Sequence, residues 1–142
     1  MQWLKIKRLD KSLPLPKYES SGAAGIDLYS TETFYIDYGY QRLVNTGISV
    51  QIPDGYVGVI KSRSSLASKG VQVQAGIIDS DYRGEIKVLL NHTALLKDAL
   101  WIEKGQRMAQ LLIIPCSQVV IKEVDKLKET VRGEKGFGSS GI

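Results

Sequence analysis

The sequence predicts an all-β domain, a sandwich, jelly roll or closed barrel. Three observations carry that prediction. Apolar and polar residues alternate with period two in short runs along most of the chain, glycine and proline punctuate the runs at regular spacing, and only one segment is suited to a helix. At 142 residues the chain amounts to one domain. Its 43% hydrophobic and 24% charged content supports a buried core and argues against disorder.

The elements follow in order. Ile48, Val50 and Ile52 alternate with Ser49 and Gln51, a half-buried strand. Pro53-Asp54-Gly55 supplies turn chemistry, and residues 56–60 read as the returning strand. Residues 64–69 are the one helix, with serine available to cap its first N–H groups and Gly70 to end it. Residues 71–74, 85–90, 100–102 and 108–114 are further strands, the last two separated by a turn at Glu103-Lys104-Gly105. Beyond residue 122 charge dominates, and four glycines crowd residues 133–141. The chain therefore divides into a folded body, 1–125, and a flexible glycine-rich arm, 126–142.

Composition removes several function classes. No apolar run approaches the ~20 residues that span a bilayer, and the basic N-terminus leads into no signal region, so neither membrane span nor secretion is expected. With one cysteine, Cys116, and one histidine, His92, a Cys/His metal cluster cannot be assembled. The formal charge of +4 hints at nucleic acid, but Lys5, Lys7, Arg8, Lys11 and Lys17 against Asp10 account for it, while the remainder balances. A solvated end explains that surplus, and no direct nucleic-acid binding is expected. Lys61, Arg63 and Lys69, with no acid between them, are better placed for phosphate.

Chemistry concentrates in five stretches. Ala24-Gly25-Ile26-Asp27-Leu28 puts a carboxylate in an apolar, glycine-loosened segment. Arg63-Ser64-Ser65 opens the helix with a cation and two hydroxyls, a composition suited to an anion. Residues 76–85 set Asp79, Asp81, Tyr82 and Arg83 in a turn between Gly76 and Gly84; Asp81 is explained by turn chemistry, whereas Asp79 follows Ile77-Ile78 and can sit at the mouth of the core. Residues 105–110 form the fourth stretch, Gly105-Gln106-Arg107-Met108-Ala109-Gln110. The fifth, 132–141, contains a formal G-x-G-x-x-G with no helix after it, which excludes a dinucleotide fold. Arg132 and Phe137 within that flexible segment offer instead a cation for phosphate and a ring for a base. Carboxylates beside phosphate-binding groups suggest Mg²⁺.

In order and spacing the five stretches resemble the five motifs of the homotrimeric deoxyuridine triphosphate nucleotidohydrolase (dUTPase) family, over residues 24–141. The resemblance implies a jelly-roll-like distorted β-barrel and a homotrimer with active sites shared between subunits. It also implies Mg²⁺-assisted hydrolysis of dUTP to dUMP and pyrophosphate, which limits uracil in DNA and supplies dUMP. By the same resemblance Asp79 is the carboxylate that deprotonates the attacking water, and Tyr82 packs under the deoxyribose. Gly76, Ile77 and Lys87 lie in a hairpin that reads uracil. Arg63, Ser64 and Ser65 contact phosphates, Gln110 helps hold the α-phosphate and water, and Asp27 meets the metal through water. Arg132 clamps the terminal phosphate, Phe137 stacks on uracil, and Gly138, Ser139 and Ser140 close over the phosphates.

Departures from the family pattern are small: Lys61-Ser62 precede Arg63 where proline is frequent, Ser65 replaces a frequent glycine, and Ser140 a frequent threonine. One rival is a dCTP deaminase, or a bifunctional deaminase and diphosphatase, which uses a glutamate where this chain has Asp79. Another is a nucleotide-binding regulatory trimer. The expected location is the cytoplasm of a bacterium or of a cell infected by a phage or virus.

Overall fold

Alternation in sequence becomes alternation in burial. The computed structural model describes residues 1–95, 97–138, 140 and 141. Its strands are β1 (Lys5–Arg8), β2 (Ile26–Tyr29), β3 (Phe34–Ile36), β4 (Gln41–Gln51), β5 (Tyr56–Ser62), β6 (Val71–Gln74), β7 (Ile77–Ile78), β8 (Glu85–His92), β9 (Leu100–Ile102) and β10 (Arg107–Pro115), with one short helix, α1 (Ser64–Ala67). In β8, Ile86, Val88, Leu90 and His92 point inward while the residues between them face outward. The chain is nearly all β, as the alternation predicts.

Two four-stranded antiparallel sheets, ordered β1-β4-β8-β6 and β2-β10-β5-β7, enclose one core, and β3 pairs with β9 beside them. Leu28, Ile60 and Leu111 from one sheet meet Val44, Ile86 and Leu90 from the other in that core. His92, fully buried, is a satisfied core histidine. The Ala94 N–H donates to Nδ1 at 3.3 Å, and Nε2, in the matching tautomer, donates to the Asp98 carbonyl at 3.0 Å.

Several expectations need correction. The turn at residues 53–55 forms, with the Tyr56 N–H donating to the Pro53 carbonyl, but it carries the chain from one sheet to the other, so β5 does not return along β4. The turn at Glu103-Lys104-Gly105 forms as expected, with the Gln106 N–H donating to the Glu103 carbonyl, and joins β9 and β10, which lie in different sheets. The helix stops at Ala67, two residues early, and its N-cap is Arg63 in extended conformation with no side-chain cap, so serine does not cap it. Gly70, at φ +90°, ends the turn that follows, as expected. Strands β1, β2, β3 and β7 lie outside the segments assigned from alternation.

β4 carries a bulge that explains why its first half hides its periodicity. Between Asn45↔Lys87 and Ser49↔Glu85 it uses two more residues than its partner. Gly47 sits there at φ +71°, its carbonyl accepting from the Leu9 and Asp10 N–H groups and its own N–H donating to Glu85 Oε1. A Cβ on Gly47 would lie 2.8 Å from the Asp10 Cβ. Gly47→Ala therefore combines left-handed strain with overpacking and is expected to cost about 2–4 kcal/mol. A denaturation midpoint equal to that of the parent protein would refute it.

Candidate functional site

Cross-strand register builds one half of the site. On β10, Ala109 and Leu111 face the core opposite Leu28 and Ile26 of β2, so Gln110 and its partner Asp27 share the outward face. β5 delivers Arg63 at its end, just before α1. Asp27, Arg63, Ser64, Ser65 and Gln110, with Glu19, Ala23, Ala24 and Gly25, line a cleft of about 320 Å³. Gly25 is required where it is, since a Cβ there would lie 2.9 Å from the Leu111 carbonyl oxygen. Of the three cations singled out around the helix, only Arg63 lines this cleft.

The cleft is electrostatically tied together. Arg63 Nε lies 3.1 Å from Asp27 Oδ1, Arg107 Nη1 lies 3.3 Å from Asp27 Oδ2, and Arg63 Nη1 donates to the Arg107 carbonyl at 3.3 Å. The Asp27 side chain is only 14% exposed. Gln110 Nε2 donates to the Ser62 carbonyl at 3.1 Å. Behind Asp27, burial pushes the Tyr29 phenol above its ordinary range, the charges of Glu19 and Asp27 adding to the effect, so Tyr29 stays protonated at neutral pH.

The second half lies elsewhere. Ile77, Ile78, Asp79, Tyr82, Glu85 and Lys87 line a separate cleft of about 200 Å³. Ala75 and Gly76 both have positive φ, and the Gly76 carbonyl accepts from the Ile60 N–H at 2.7 Å. That carbonyl is therefore already bonded. The Tyr82 hydroxyl donates to the Glu85 carbonyl at 3.0 Å, and its ring lies over Gly84, where a Cβ would come within 2.5 Å of Cζ. The two arms of the segment 76–87 pair outward, β7 with β5 and β8 with β4 and β6. The expected hairpin is thus a loop splayed between the two sheets. Asp79 also borders a cavity of about 630 Å³ with Asp54, Asp81, Cys116 and Gln118.

The two clefts share no lining residue, and the ladder shows how far apart they are. Ile78 pairs with Gly58 near the start of β5, whereas Arg63 follows its last residue, Ser62. At ~3.3 Å per residue, Asp79 and Arg63 stand roughly 17–20 Å apart along β5. Side chains as short as Asp79 and Ser64 cannot meet at one atom across that span.

Residues of the arm line neither cleft among the described residues. Arg132 Nε donates to the Lys135 carbonyl, Phe137 and Gly138 are fully exposed with positive φ, and Ser140 is exposed. Ser139 lies outside the described residues. Sequence reasoning passed over Glu19, which has no motif around it, and Arg107, which stood inside the fourth stretch without an assigned role. Among the described residues no cluster of three His, Cys, Asp or Glu could hold a metal ion, and no helix is long and apolar enough to cross a membrane.

Residues 11–141 match the family model described as dUTPase. A deoxyuridine 5'-triphosphate nucleotidohydrolase of Nautilia profundicola is 47% identical over 97% of this chain and 98% of its own length. The protein of the same name from Corynebacterium glutamicum is 45% identical over 97% and 94%. Among solved structures, a Staphylococcus bacteriophage 80alpha dUTPase with dUpNHpp superposes with TM-score 0.87 at 31% identity, each chain covered completely. A mutant dUTPase from phage phi11 of S. aureus, described with a structural Mg(II) ion, gives 0.81 at 25% identity over 88% of this chain and 98% of that one.

Proposed function

The chain belongs to the dUTPase family and hydrolyses dUTP, and we propose that it does so at sites assembled between the subunits of a homotrimer, each from the Arg63 cleft of one subunit and the Asp79 cleft of another. The separation of the two clefts along β5 carries this reading, because one phosphorus needs both sets of groups within a few ångströms. A threefold ring of heterologous contacts supplies that juxtaposition three times.

In this reading Asp79 accepts a proton from water as its oxygen attacks the α-phosphorus in line, and the bond from that phosphorus to the bridging oxygen breaks, leaving dUMP and pyrophosphate. Gln110 and Ser64 orient the α-phosphate and the bridging oxygen, while Arg63 and Ser65 stabilise charge on the phosphates. Tyr82, fixed by its bond to Glu85, packs under the deoxyribose and leaves no room for a 2′-hydroxyl. The 200 Å³ cleft, lined by Ile77 and Lys87 and preceded in the chain by Gly76, takes uracil and excludes the methyl of thymine.

Mg²⁺ fits this site only as a companion of the substrate. No described cluster holds a cation, and both oxygens of Asp27 face guanidinium groups, yet a carboxylate has lone pairs left for a metal-bound water. When bound with the triphosphate, the ion would neutralise phosphate charge, and Asp27 would meet it through water. The cytoplasm is the proposed location, in keeping with bacterial and phage relatives.

The discriminating experiment measures pyrophosphate release from dUTP, dTTP, dCTP and UTP with Mg²⁺. Release from dUTP alone is expected, and ammonia from dCTP at a comparable rate would overturn the reading. The arm, 126–142, is proposed as a lid in which Arg132 clamps the terminal phosphate, Phe137 covers uracil, and Gly138, Ser139 and Ser140 close on the phosphates. Removing residues 132–142 is expected to lower kcat/KM about 100-fold or more while leaving the oligomer intact. A fully active truncation would sink the lid.

A further inference from the structure

We propose that Arg107 is a positioning residue, which acts through Asp27 to aim Arg63 into the phosphate cleft and to offset the charge of the carboxylates there. The inference rests on the reading of the Arg63 cleft as the phosphate half of the site.

The argument begins with a parity problem. Along β10, Ala109 and Leu111 point into the core, so strict period two would also send Arg107 inward. The ladder to β2 slips between Arg107 and Ala109, where Met108 is the extra residue. Met108 and Ala109 are consequently both fully buried, and Arg107 emerges on the outward face shared by Asp27 and Gln110. A single inserted residue thus converts an inward position into one beside the cleft. Had β10 alternated strictly through Met108 with no bulge, a guanidinium would be forced into the core beside Leu28, Ala109 and Leu111.

Charge gives the arrangement its purpose. Glu19 lines the cleft as well, so Arg63 with Asp27 and Glu19 alone would leave it net negative and repel a polyanion. Arg107 on the other carboxylate oxygen offsets that excess, in surroundings where Asp27 is 14% and Arg63 27% exposed, so the charge is only partly screened. Geometry adds to this. Asp27 receives one guanidinium on each oxygen, and Arg63 also donates to the Arg107 carbonyl, so the Arg63 side chain is fixed from two directions before substrate arrives. Arg107 itself is absent from the cleft lining and is 45% exposed, consistent with action through Asp27.

The test is a double-mutant cycle on the full-length enzyme with Mg²⁺ and dUTP. Arg107→Met is expected to lower kcat/KM about tenfold, and Arg107→Lys, which keeps the charge, to recover most of that loss. Because Arg107 works through Asp27 and Arg63, the pair R63M/R107M is expected to be no more than about twofold worse than R63M. Additive losses, or an R107M enzyme as active as the parent, would overturn the proposal. A purely structural role would lower the denaturation midpoint without that coupling, and this too counts against it. If R63M alone leaves dUTP turnover unchanged, the phosphate reading of the cleft fails first, and the role of Arg107 falls with it.

Discussion

Asp79→Asn is expected to bind dUTP almost as tightly as the parent enzyme and to release pyrophosphate about 10²- to 10⁴-fold more slowly, the range for loss of a positioned general base. The amide has nearly the shape of the carboxylate but cannot accept the proton of the attacking water. Among the described residues Asp79 makes no side-chain ion pair, and it is exposed at the edge of two clefts, so the substitution leaves no buried partner stranded. Stability should change little, which separates a catalytic loss from a folding loss. Binding by calorimetry and product release by a coupled phosphate assay check the two halves, and a variant with undiminished turnover would remove Asp79 from the mechanism.

The second large effect is a gain. Asp79→Asn and Arg63→Met subunits are each expected to form inactive homotrimers, since every site then lacks one of its halves. When the two are unfolded together, refolded and allowed to assemble, about a quarter of the sites receive Arg63 from one chain and Asp79 from another, and activity should return toward roughly that fraction of the parent value. Sites built within single subunits would give no recovery at all. The result follows from the ladder of β5, which sets the two residues at opposite ends of one strand.

What was legible in the sequence depended on whether one residue carried its own signal. Ile86, Val88 and Leu90 alternate cleanly, so β8 could be read directly, and β6 and β9 match to the residue. β2 could not, because Leu28 and Tyr29 are buried in succession and leave no period. β1, Lys-Ile-Lys-Arg, is an edge strand whose charges mask it, and β7 has two residues. Partners were illegible throughout. Period two fixes which face is inward and says nothing about which strand lies alongside, so the strand after the turn at residues 53–55 read as returning when the turn crosses between sheets. For the site, the five stretches and their order were visible, and the resemblance they carry agrees with the relatives now described. The pairing of Asp27 with two arginines was not visible, because it depends on an inserted residue at Met108 that no local pattern marks.

The same topology has a consequence for the order of events in folding. No strand pairs with its neighbour in sequence: β1 seeks β4, β2 waits for β10, β3 for β9 and β4 for β8. Because loop closure precedes nearly every favourable contact, the chain belongs with slow, high-contact-order folders that close in milliseconds to seconds. During synthesis β2 remains an open edge for some eighty residues, and its sheet cannot close until β10 leaves the ribosome. The last strand made is the one that joins Asp27 to the end of β5, so the cleft around Arg63 is the final part of the body to exist.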